Sequence, residues 1–193
     1  IISVKMFFKW LTKENYILSN PASELEAPKA GRRLPKAILT HSEVEQVIAQ
    51  TVVNEATGLR DRAIIETLYS TGIRRLELIN LKIYDLDMET GAVWIREGKG
   101  KKDRVIPIGQ RACEAITAYI EHIRPHLVVS DPDDGILFLT DYGQAFARNR
   151  MGDLVRKYLD LAGIKKPGSC HLFRHTMATL MLENGCDVRY LQA

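Results

Sequence analysis

The sequence has little cysteine, three in 193 residues, and no apolar run near the roughly 18 residues that cross a bilayer. Cys113, Cys170 and Cys186 are odd in number and widely spaced, so reduced thiols are expected and a disulfide framework is not. The opening residues lack the basic, apolar and small-residue layout of a signal peptide. A cytoplasmic protein with no membrane partner is the expectation. Internal repeats and low-complexity tracts are missing, which excludes repeat arrays and compositional tails. A strong charge of one sign is missing too: 27 Lys and Arg against 24 Asp and Glu leave +3, too little to identify a polyanion partner unaided. The GxxxxGK[ST] phosphate loop, the HExxH zinc pair and a carboxylate cluster suited to Mg²⁺ are all absent. No metal and no cofactor are therefore expected.

What is present is 46% apolar and 26% charged, enough for one ordinary domain and part of another. Val4, Phe7, Phe8 and Leu11 give an amphipathic helix within residues 1–17. The first residue is not Met, and the pattern at 190–193 still reads as helical, so both ends read as cut. Proline, glycine and positive charge gather between Asn20-Pro21 and Pro35-Lys36, including Arg32 and Arg33, which reads as an interdomain linker or as a merely solvated loop.

Thr40 and Glu43 form a capping box ahead of Val44, Val47 and Ile48. A second helix runs over 59–70, with Gly72 suited to its left-handed end, and a short one over 75–80. The period then changes: 82–86, 92–96 and 104–108 are short and β-branched with turns between them, a small antiparallel meander. Helices return at 110–123 and 147–161, with Gly163 closing the second. After a polar turn at 131–135 come a brief strand at 136–139 and a last full helix over 171–184, capped by Ser169 and ended by Gly185. The predicted class is α+β, mainly helical with a three-stranded antiparallel sheet.

Three stretches concentrate basic side chains. In Thr71-Gly72-Ile73-Arg74-Arg75-Leu76-Glu77-Leu78, Arg74 starts a helix just after a glycine bend, and Glu77 can orient its guanidinium. A cation at the positive end of a helix gains nothing from the dipole, which suggests a nearby anion; taken alone, a surface ion pair explains it better. Glu97-Gly98-Lys99-Gly100-Lys101-Lys102-Asp103-Arg104 is a hairpin tip whose glycines allow close approach to a bulky partner, though alone it reads better as a solubilising turn. In Ser169-Cys170-His171-Leu172-Phe173-Arg174-His175, His171 and Arg174 share a face in the first turns of a helix. A metal site from His171 and His175 lacks further ligands at sensible spacing, and His175 reads as structural. Together, two arginines, a histidine and a free lysine can stabilise phosphoryl transfer without a metal.

These residues, in this order, resemble the tyrosine recombinase or phage integrase family in its bacterial Xer-like branch. Leu68-Tyr69-Ser70-Thr71-Gly72-Ile73-Arg74 with Glu77-Leu78 resembles the first arginine box. Gly98-Lys99-Gly100-Lys101 before 104–107 resembles the hairpin lysine, and His171-Leu172-Phe173-Arg174-His175 the histidine and second-arginine box. The resemblance implies a clamp around double-stranded DNA, working with other recombinase subunits, in which a tyrosine forms a 3′-phosphotyrosyl link and frees a 5′-hydroxyl. Arg74 and Arg174 would hold the phosphate, Lys99 would protonate the leaving oxygen, and His171 would assist proton transfer. Glu77 and His175 would support. Arg32, Arg33, Lys36, Lys101, Lys102 and Arg104 are further candidate DNA contacts.

The same resemblance implies three segments: residues 1–27 as the end of a helical core-binding domain, 28–37 as linker, and 38–193 as catalytic domain. The family has a small hydroxyl residue where Leu76 stands. Its Gly-His box and nucleophilic tyrosine follow the last helix and are not found in these residues; Tyr190 precedes that place. The 193 residues alone are therefore expected not to cleave DNA. The alternatives are a non-catalytic DNA-binding or regulatory relative and a type IB topoisomerase-like enzyme.

Overall fold

A computed structural model describes residues 1–26, 37–52, 55–96, 103–129 and 133–189. The chain divides into two compact units, Ile1–Leu34 and Pro35–Ala193. In the first, helix α1 (Ile2–Lys13) is shorter than the predicted 1–17, because Asn15 turns left-handed at φ 60°. Lys5 Nζ donates to the Ser23 carbonyl at 3.2 Å, and the Trp10 and Tyr16 rings meet at 5.6 Å. No residue of α1 is buried.

The second unit begins with α2 (His41–Ala49). The predicted capping box forms there, with Thr40 Oγ1 accepting from the Glu43 amide and Glu43 Oε2 from the Thr40 amide. Next comes α3 (Ala56–Thr71), which carries the consecutive buried residues Ala63, Ile64 and Ile65, then Leu68. An apolar run of this kind suits a helix covered on more than one side. It packs against α5 (Gln110–His122), which buries Ala112, Ile116 and Tyr119, and against α8 (Cys170–Glu183), which buries Leu172, Phe173 and Thr176. Each fully buried Ile or Leu contributes about 1.5–3 kcal/mol, so α3 is the mast on which both halves of the site are mounted.

Between α3 and α5 lie α4 (Arg75–Asn80) and the meander β1 (Leu86–Asp87), β2 (Ala92–Ile95) and β3 (Arg104–Pro107), antiparallel in that order. Val93 and Ile95 point inward and Trp94 outward, the alternation expected of a half-buried strand. The register pairs Val93 with Ile106 and Ile95 with Arg104.

Four local expectations are corrected. The strand at 82–86 is instead a 3₁₀ turn over Ile83–Asp85, because Asp85 accepts from the Lys82 amide (3.1 Å) and from Arg96 Nε (2.6 Å), bending the chain. The strand at 136–139 reduces to the isolated bridges Lys82–Ile136 and Leu139–Ala145. An unpredicted helix α6 (Arg124–Leu127) places the buried Arg124 against Asp133 and the carbonyls of Ile136 and Leu137. Ser169 precedes α8 but makes no side-chain cap. Helix α7 (Arg148–Leu161) contributes Met151, Val155 and Leu159 to the core, and its Tyr158 hydroxyl donates to the buried Asp61, which also accepts from Arg60. No helix among the described residues is long and apolar enough to cross a membrane.

Candidate active site

Gly72 ends α3 in the left-handed conformation at φ 58°, as its lack of a β-carbon permits. The bend turns Arg74 toward Glu77. Glu77 accepts from the Arg74 amide at 2.8 Å through Oε2 and from Arg74 Nη1 at 2.8 Å through Oε1. Arg104, the first residue of β3, donates from Nη2 to Oε2 at 2.7 Å. The carboxylate is 8% exposed, Arg104 15% and Arg74 38%. Burial works to raise the Glu77 pKa, but Arg104, the Arg74 amide and the Arg74 guanidinium outweigh it and hold the carboxyl at about 2.

Arg174 approaches from α8. Its Nη1 donates to the Gly72 carbonyl, so the bend that aims Arg74 also fixes the second guanidinium. Burial and then Arg74 push the Arg174 pKa down, Glu77 opposes them, and Arg104 adds to the lowering. Two guanidiniums thus share one carboxylate and a third rests on a neutral carbonyl, so positive charge is left over. Such a pocket suits an anion with several oxygens, because each guanidinium presents a planar fork of donors.

His171 lies one turn before Arg174 on α8, at the rim. Its pKa is lowered by burial first, then by Arg75, His175 and Arg174. A neutral imidazole can take a proton from a hydroxyl nucleophile. His175 is exposed one turn further along. Lys99, Lys101, Lys102, Arg32, Arg33 and Lys36 lie outside the described residues. Arg104, expected as an outer DNA contact, sits on Glu77 inside the cluster. Beside Arg104 and Arg174 opens a cavity of about 410 Å³, otherwise lined mainly by apolar residues of β3 and α8, including Ile106, Met177 and Met181. Sequence reasoning missed the Gly72 carbonyl as the anchor of Arg174, since 102 residues separate the two. It also gave no role to Arg75.

The phage integrase family profile matches residues 37–193. The chain belongs to the phage integrase family. It is 50% identical to tyrosine recombinase XerC 2 of Ralstonia nicotianae over 98% of this chain and 54% of that protein. It is 35% identical to tyrosine recombinase XerD of Listeria innocua over 100% of this chain and 64% of that one. This phage integrase chain therefore spans between half and two thirds of the length of those relatives. Among solved structures, XerA recombinase superposes with a TM-score of 0.70 at 29% identity, covering 98% of this chain and 62% of that one. A post-cleavage complex of XerH with its palindromic difH substrate gives 0.75 at 25% identity, covering 96% and 53%. The mainly helical fold with its small sheet is the Xer-like tyrosine recombinase catalytic fold.

Proposed function

We propose that this chain forms the phosphate-gripping core of a site-specific DNA recombinase that cuts and rejoins double-stranded DNA through a 3′-phosphotyrosyl intermediate. The observation that carries the reading is the gathering of three guanidiniums about one bend, Arg74 and Arg104 on Glu77 and Arg174 on the Gly72 carbonyl. Attack on a phosphodiester gathers negative charge on its non-bridging oxygens, and positioned guanidiniums stabilise that charge without a metal. Arg74 and Arg174 hold these oxygens; Glu77 keeps Arg74 and Arg104 in place. His171 takes the nucleophile's proton, and Lys99 returns one to the leaving 5′-oxygen. Lys101, Lys102, Arg32, Arg33 and Lys36 add backbone contacts, and His175 supports His171. Other recombinase subunits assemble on the same DNA in the cytoplasm. Residues 1–27 belong to a DNA-clamping helical domain, joined by 28–37 to the catalytic domain.

On this reading the nucleophile is a tyrosine other than those described. None lines the cavity beside Arg104 and Arg174, and the hydroxyls of Tyr119 and Tyr158 are engaged in the core with the Leu139 amide and Asp61. The test is to titrate the 193-residue chain into duplex DNA over a range of salt, and to incubate it with nicked suicide duplexes. Supporting results are affinity that falls steeply with salt and no covalent adduct. Affinity indifferent to salt would remove the phosphate-gripping role, and an adduct would show that a tyrosine of this chain reaches the phosphate.

A further inference from the structure

Arg75 directly follows the arginine that faces Glu77, yet it belongs to a different neighbourhood. Arg74 is the extended residue that precedes α4, and Arg75 is the first residue of the helix itself. Its Nη1 comes within 2.9 Å of the place where a β-carbon on Gly152 would stand, and Ser169 Oγ lies 3.6 Å from that same place. The guanidinium is therefore laid over the buried Gly152 of α7, next to the amino end of α8. Only a residue without a side chain leaves room for it there.

That position leaves a cation without an answering charge. Arg75 is half-buried, and among the described residues its side chain has no hydrogen-bond or ion-pair partner, while Arg74 and Arg104 share Glu77. The amino end of α8 beside it adds positive potential. An anion supplied from outside the chain answers both.

The geometry along α8 places that anion. Arg75 Nη1 and Ser169 Oγ approach the same point over Gly152, at the amino end of α8, whereas Arg174 lies further along the helix on the Gly72 carbonyl. His171 falls between Ser169 and Arg174 on that helix. We propose that Arg75, laid over Gly152, is a further DNA-binding residue that grips a backbone phosphate other than the one held by Arg174, with His171 between them. This rests on the recombinase reading above. It explains why a glycine occupies a buried position in the middle of α7, where alanine would favour the helix by about 1 kcal/mol.

The experiment measures duplex affinity of the chain as a function of salt for wild type, Arg75→Gln, Arg75→Lys and Gly152→Ala. Losing one phosphate contact lowers the slope of log K against log salt by about 0.9, which extrapolates to about fivefold weaker binding at 0.15 M salt. Arg75→Gln is expected to show that loss equally on unrelated sequences, and Arg75→Lys to keep the slope. Gly152→Ala places its new methyl 2.9 Å from Nη1 and should displace the guanidinium, reproducing the Gln loss while melting no lower than wild type. Should Arg75→Gln fail to fold, Gly152→Ala alone decides. A folded Arg75→Gln or Gly152→Ala chain with the wild-type slope overturns this inference and leaves the recombinase reading intact. A wild-type chain without salt-dependent binding overturns that reading itself.

Discussion

Replacing Glu77 by glutamine tests the centre of the site, because the carboxylate receives three hydrogen bonds, two of them from guanidiniums, at 2.7–2.8 Å. Its pKa falls from 4.5 to about 2 on folding, which corresponds to roughly 3 kcal/mol of stability at neutral pH. The side chain is 8% exposed, so solvent screening takes little from that figure. Since the folded value lies below the unfolded one, the contribution is complete above about pH 4.5 and is lost as pH falls through about 2. Glutamine removes the charge and turns an amide donor against one of the three donors, so the variant should be less stable than wild type by about 3 kcal/mol at pH 7. With a urea slope of about 2 kcal/mol per molar, the midpoint should move down by between 1 and 2 M.

The assay is urea unfolding of both proteins at pH 7, 5, 3.5 and 2.5. The gap should be constant between pH 7 and 5 and narrow below. Electrostatic affinity for duplex DNA should not fall with stability, because the variant loses a negative charge from a cationic pocket. Equal midpoints at pH 7, or a gap unchanged down to pH 2.5, would refute the view that this carboxylate holds the guanidiniums together.

Tyr158→Phe removes the hydroxyl that donates to Asp61 at 2.8 Å in the core; a loss of about 1–3 kcal/mol is expected in thermal or urea unfolding. Arg124→Lys cannot reproduce the fork that reaches both oxygens of Asp133 and the Ile136 carbonyl, so about 3 kcal/mol should be lost. In the same variant the Asp133 carboxyl, held at about 2 chiefly by Arg124, should titrate higher by NMR. Gly72→Ala combines a left-handed φ of 58° with a methyl that would overlap Met177 Cε. It should lower stability by about 1–2 kcal/mol and weaken DNA binding through Arg174, and Met177→Ala should relieve only the clash.

The parts of this protein legible in its sequence are those whose physics is local. Thr40 with Glu43, Gly72 after α3, and the pairs Arg74 with Glu77 and His171 with Arg174 lie within one helical turn of their partners, so spacing alone suggests them. What spacing does not encode is which distant group takes a side chain away from its local role. Asp85 draws the Lys82 amide and Arg96 to itself and turns an expected strand into a 3₁₀ bend. Arg104 reads as an outward-pointing hairpin cation, but Ile95 opposite it and Glu77 beneath fix it inward. Ser169 has the chemistry of a cap, yet its backbone, at φ −144° and ψ −114°, lies outside the extended region a cap adopts.

The arrangement of the site also explains how like charges can be held so close in the folded protein. Each guanidinium near Gly72 has one fixed acceptor: Glu77 for Arg74 and Arg104, and the Gly72 carbonyl for Arg174. One acceptor orients a planar five-donor group but leaves most of its donors unused, and those free donors are what a phosphodiester can take up without reorganising the pocket. Two neutral or anionic anchors beneath three cations therefore give a site that is rigid before binding and still incomplete in charge. Adding a second carboxylate there, as Leu76→Glu would if its side chain turned inward, should tighten the fold and weaken the grip on DNA, because it would satisfy internally the donors that the phosphate requires.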